Sequence, residues 1–102
     1  MFLHDIINEK MQSLNPSELA ALLIIIDEYL KAKEKHPRWP LDVLHASSIV
    51  AEESGELVRA ALQFTYEGGS ELECNKEAGH TGATCLRFLA NKPYTLYPNL
   101  KP

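Results

Sequence analysis

The 102 residues are 45% hydrophobic and carry 14 acidic against 10 basic side chains, for a formal net charge of -4. That length suits one domain, residues 1–102, with a modest core, and the negative balance gives no field that would draw a nucleic-acid polymer or an anionic membrane. The longest apolar segment, Leu19 to Ile26, is far short of a membrane span, and His4, Asp5 and Glu9 stand where a signal peptide needs basic residues and an apolar core. The expectation is a soluble, cytoplasmic protein.

Met1 to Ser13 places Phe2, Leu3, Ile6, Ile7 and Met11 at helical spacing, so residues 1–14 read as a short amphipathic helix or N-terminal arm. Asn15-Pro16-Ser17-Glu18 is a helix start, with a cap, a proline at the first helical position and an acid at the third. The second helix is expected to run to about Lys35. Leu19, Leu22, Leu23, Ile26, Tyr29 and Leu30 form its expected core stripe, and Ile24 and Ile25 widen the apolar surface beyond what one neighbour covers. A partner chain would cover the rest. Asp27 and Lys31 read as a solvated i,i+4 ion pair.

Lys35-His36-Pro37-Arg38-Trp39-Pro40 breaks the helical pattern, because each proline disfavours helix at the residue before it. This loop gathers two cations, a titratable ring and the only tryptophan. It suits either a base and phosphates held by stacking and charge or a tryptophan plugging the end of a bundle.

The third helix is expected from Leu41 to about Tyr66. Leu44, Ala51, Val58 and Leu62 give it one apolar line and Ala46, Ile49, Val50, Leu57, Ala60 and Phe64 another, so it is expected at the centre of the fold. Gly55 inside it suggests close approach of a helix or ligand. Within the second line lie Glu53 and Glu56, roughly 60° apart around the helix and one turn displaced, so the two can reach one point. Carboxylates in an apolar stripe persist when paired, hydrogen-bonded or bound to a cation. Asp42 lies on the Glu53 line and His45 near its edge, where an exposed position accounts for both more readily than a site does.

Glu67-Gly68-Gly69-Ser70 ends that helix and opens a fourth, Ser70 to Asn91, with Ser70 and Glu73 as a capping box. So short a loop makes the two helices antiparallel. Glu73, Glu77, Thr84 and Phe88 share a face with His80 about 60° from Glu77, and antiparallel packing turns this face towards Glu53 and Glu56. Gly79, Gly82 and Leu86 form a small-residue strip on which another helix can pack closely. Cys74 and Cys85, roughly 16 Å apart along one helix, read as two reduced thiols. Residues 92–102, with three prolines and no periodicity, read as a tail.

The pattern Glu53-x-x-Glu56, twenty intervening residues, then Glu77-x-x-His80 resembles the E-x-x-E and E-x-x-D halves of the MazG-like all-α nucleoside triphosphate pyrophosphohydrolases. The run HPRWPLDVLHASSIVAEESGEL resembles the short single-domain members of phages and mobile elements, and the resemblance covers roughly His36 to Leu89. It implies an antiparallel bundle of about four helices that assembles as a homodimer or dimer of dimers. It also implies Mg²⁺-dependent hydrolysis of an NTP or dNTP to the monophosphate and pyrophosphate. By position Glu53, Glu56 and Glu77 would be metal ligands, and His80 takes the place of the family's aspartate. Imidazole carries no negative charge and suits softer ions, so Mn²⁺ is the alternative cation.

Around that core, Glu52 or His80 would orient or deprotonate the attacking water, while Trp39, Arg38, Lys76 and Arg87 are the candidates for holding substrate. Two other readings compete. A nucleotide-binding pseudoenzyme follows if His80 removes activity. A non-enzymatic interaction module follows if Glu53, Glu56 and Glu77 are spent on ion pairs with Arg59, Lys76 or Arg87.

Overall fold

The computed structural model describes residues 2–91, so the expected tail at 92–102 lies outside the described residues. Four helices follow in order: α1 (Leu3–Met11), α2 (Pro16–Lys35), α3 (Val43–Tyr66) and α4 (Glu71–Asn91), with no strand among the described residues. None is long and apolar enough to cross a membrane.

Local chemistry fixes the helix ends. Asn15 Oδ1 accepts from the Glu18 N–H at 2.8 Å while Glu18 Oε1 accepts from the Asn15 N–H at 2.9 Å, closing the capping box of α2 with Pro16 just inside it. The start of α3 falls at Val43 rather than Leu41, because Asp42 is its cap and accepts the Leu44 N–H at 2.9 Å. That role gives Asp42 a structural account, and His45 is exposed. At the far end the Glu67 and Gly69 N–H groups both donate to the Gln63 carbonyl, a closure that needs the positive φ of 74° found at Gly68. The Glu73 N–H then donates to Ser70 Oγ at 3.1 Å and begins α4.

α4 occupies the centre. The extensive helix pairings among the described residues are α3 with α4 and α2 with α4. This corrects the expectation that α3 is central: Leu44, Val58 and Leu62 are exposed. The cause lies in the small residues of α4. A Cβ built on Gly79 would meet Ile24 Cγ2 at 3.0 Å, and one on Gly82 would meet Ile25 Cγ1 at 2.8 Å, so α2 seats its isoleucines directly on the α4 backbone. Gly79 and Ala83 are buried there. Gly55, by contrast, has nothing within 4 Å of an added Cβ, and the close approach expected at it is not found.

The same packing turns the expected stripe of α2 outward except at Tyr29. Ile25, Glu28, Tyr29 and Ala32 are its half-buried residues, while Leu19, Leu22, Leu23, Ile26 and Leu30 are exposed. An α2 apolar on most sides could present either face, and the glycines of α4 select the one bearing Ile24 and Ile25. Among the described residues the buried hydrophobic side chains are only alanines: Ala46, Ala60 and Ala83.

Candidate metal and phosphate site

Antiparallel packing of α3 on α4 and the close seat of α2 bring three acids around one ring. Glu53 of α3, Glu77 of α4 and His80 of α4 offer ligand atoms that all lie within 4.8 Å of one another, and all three side chains are half-buried. His80 Nδ1 is 3.4 Å from Glu77 Oε2 and His80 Nε2 is 3.1 Å from Glu28 Oε2. Glu28, on α2, was not a sequence candidate. Its signal was the one that marked Glu53, a carboxylate in register with buried neighbours, here Ile25 and Ala32. Lys31 Nζ lies 3.5 Å from Glu28 Oε1, so the expected partnership of Lys31 with Asp27 is replaced by one with Glu28.

The acids are poorly satisfied. Glu53 Oε2 and Glu77 Oε2 are buried without a hydrogen-bond partner; the 3.4 Å approach of His80 to Glu77 is an ion-pair distance and not an aligned hydrogen bond. Burial, and then the neighbouring Glu56 carboxylate, hold the Glu53 carboxyl above the usual carboxylate range; Glu77 and Glu52 push the same way and His80 opposes them. A group in that condition gains most from a cation. Two carboxylate oxygens and one imidazole nitrogen fit a small divalent ion that retains waters, and their unpartnered buried oxygens are where its charge would be compensated.

Glu53 and His80 open into a cleft of about 400 Å³ lined also by Glu28, Lys31, Ala32, Lys35, His36, Ala83 and Thr84. One end is acidic, and Lys31, Lys35 and His36 supply basic groups. Lys35 and His36 belong to the loop whose charges suit phosphates, whereas Lys31 reads from the sequence as ordinary surface charge paired with Asp27.

The other expected residues are placed differently. Glu56 and Glu52 are exposed; Glu56 stands near enough to Glu53 to raise its carboxyl but lies outside the three-ligand group. Lys76 and Arg38 are exposed, and neither lines the cleft. Arg87 donates from Nη2 to the His36 carbonyl at 2.7 Å and lies 5.0 Å from the centre of the Trp39 ring, so it clamps the 36–40 loop. Trp39 faces a separate concavity of about 220 Å³ with Pro40, Leu41, Val43, Ala46, Phe88, Leu89 and Asn91. Both cysteines are free. Comparison of the chain with protein-family models, with curated proteins and with solved structures found no match to any of them.

Proposed function

We propose that this chain is a divalent-cation-dependent nucleoside triphosphate pyrophosphohydrolase of MazG-like type, working as a homo-oligomer on an NTP or dNTP. The observation that carries the reading is the pair of buried, unpartnered oxygens of Glu53 and Glu77 beside His80, with Glu53 and His80 lining a cleft that also holds lysines. Ion pairing with lysine or arginine does not account for those acids: the described residues show no salt bridge from Glu53, Glu56 or Glu77 to Arg59, Lys76 or Arg87.

Glu53, Glu77 and His80 would hold the cation, Mg²⁺ or Mn²⁺, with Glu56 available from the solvent side. When bound, such an ion neutralises phosphate charge and makes water a better nucleophile at neutral pH. Lys31, Lys35 and His36 face the same space and balance the charge of the phosphates beyond the reacting one. Water adds to the α-phosphorus, the bond from that phosphorus to the bridging oxygen breaks, and pyrophosphate leaves with the bond's electrons. A carboxylate at Glu52 or Glu56, both exposed and close in sequence to Glu53, would accept the proton of the water.

The exposed leucines and valines of α2 and α3, including Leu23, Leu30, Val58 and Leu62, support assembly with further copies, because so thin an alanine core leaves much apolar surface in water. The test is pyrophosphate release from a panel of NTPs and dNTPs with Mg²⁺ or Mn²⁺, for wild type and Glu53→Gln. Release that is lost in the variant supports the assignment, and equal activity overturns it. Nucleotide binding without turnover for any pair would favour the pseudoenzyme.

A further inference from the structure

We propose that Glu28 is the positioning carboxylate of His80, fixing the ring so that Nδ1 is presented as a nitrogen ligand to the cation; this rests on the reading that the cleft binds one. Glu28 reaches His80 from a different helix, α2, and is itself held from its other oxygen by Lys31. An ionised carboxylate only accepts hydrogen bonds. Glu28 Oε2, at an ion-pair distance of 3.1 Å from Nε2, lies nearer the ring than Glu77 Oε2 at 3.4 Å from Nδ1, so the proposed tautomer carries its proton on Nε2. In the neutral ring the lone pair then sits on Nδ1, 3.4 Å from Glu77 Oε2, in a residue that belongs to the same cluster as Glu53. Three electron-pair donors facing one another with no proton between them are stable around a cation and repel without one.

Carboxylate, histidine and metal in series is a general arrangement: the outer acid fixes tautomer and ring orientation and raises the basicity of the ligating nitrogen. Here the reach depends on α2 lying directly on Gly79 and Gly82, since a bulkier strip on α4 would hold Glu28 away from the ring. A nitrogen in the ligand set also shifts the site's preference towards Mn²⁺ relative to Mg²⁺. Glu28 touches no reacting atom in this scheme and acts through His80.

The experiment is Mn²⁺ titration of the full chain without nucleotide, read by the electron paramagnetic resonance of free Mn²⁺, with Mg²⁺ as competitor. Glu28→Ala is expected to weaken Mn²⁺ binding by about 10–100-fold and to narrow the Mn²⁺ to Mg²⁺ preference. Glu28→Gln retains an oxygen that accepts from Nε2 and is expected to recover most of the affinity. Circular dichroism of each variant establishes that it is folded, and ¹⁵N resonances of the His80 ring in the wild type, recorded at alkaline pH, give the tautomer directly. Unchanged Mn²⁺ affinity in folded Glu28→Ala, or a proton on Nδ1 with Nε2 bare, overturns the proposal. Weakened Mn²⁺ binding in a protein that hydrolyses no nucleotide would leave Glu28's role standing and remove the pyrophosphohydrolase reading.

Discussion

His80 and Arg87 stand two turns apart on the same helix, and the regions built around them treat charge in opposite ways. At the Trp39 corner, Arg87 spends its guanidinium on the His36 carbonyl and the indole ring, and only the Trp39 Nε1 is left buried without a partner. In the acid cluster, Glu53 and Glu77 each leave an oxygen buried and unpartnered, and burial and the neighbouring carboxylates hold the Glu53 carboxyl above its ordinary range. A charge that is matched within the chain holds the fold together; charges collected and left unmatched are stable only when something else enters. The difference separates a structural clamp from a candidate site more sharply than residue type does, since both regions contain a cation, an aromatic or imidazole ring and half-buried polar groups.

The comparison can be broken where the expected effect is largest. Glu53→Gln should lower pyrophosphate release by more than the about 10–100-fold that an outer partner of a metal ligand supplies, whereas Arg87→Ala should leave Mn²⁺ affinity unchanged. Instead Arg87→Ala should cost about 1–3 kcal/mol of stability in denaturant unfolding, through the lost carbonyl hydrogen bond and ring contact. Weakened metal binding in that variant would merge the two regions and refute the distinction. Gly82→Ala, whose Cβ would meet Ile25 Cγ1 at 2.8 Å, should destabilise by about 1–2 kcal/mol and weaken Mn²⁺ binding as α2 carries Glu28 away. Gly55→Ala, with open space at its Cβ, should stabilise by about 0.5–1 kcal/mol with no effect on the site. In steady-state kinetics, Lys31→Ala and Lys35→Ala should each raise KM for triphosphates by up to about fivefold, the scale of one exposed charge contact.

A smaller effect concerns pH. A carboxyl whose value is higher in the folded than in the unfolded chain favours folding while protonated, so that contribution is complete below the ordinary glutamate value and fades as pH rises through the raised one. Ionised Glu53 is therefore a burden at neutral pH in metal-free protein. Glu53→Gln should raise the melting temperature there by a few degrees, and the gap should close as pH falls below the ordinary glutamate value. A gap that widens on acidification would contradict the electrostatics assigned to the cleft.

Much of this arrangement was legible in the chain because it rests on short-range rules. Asn15 and Glu18 announced α2, Ser70 announced α4, and the offset from Glu77 to His80 placed both on one face. An acid inside an apolar stripe identified Glu53. The same rule applied to Glu28 only if the covered side of α2 was known, and an α2 apolar around most of its circumference did not declare it. The deciding information sat in α4, where Gly79 and Gly82 admit Ile24 and Ile25. The loop contacts of Arg87 are hidden from the sequence for a related reason: its acceptors are carbonyls distant in sequence, and a periodic pattern carries no trace of them.

The proposed reaction splits a nucleoside triphosphate between its α and β phosphorus atoms at the cluster of Glu53, Glu77 and His80. Its most direct test is the ³¹P spectrum of a dNTP or NTP incubated with the protein and Mn²⁺ in ¹⁸O-labelled water. The account predicts monophosphate and pyrophosphate as products, with the label in the monophosphate alone. Nucleoside diphosphate and inorganic phosphate, or label in the pyrophosphate, would contradict it.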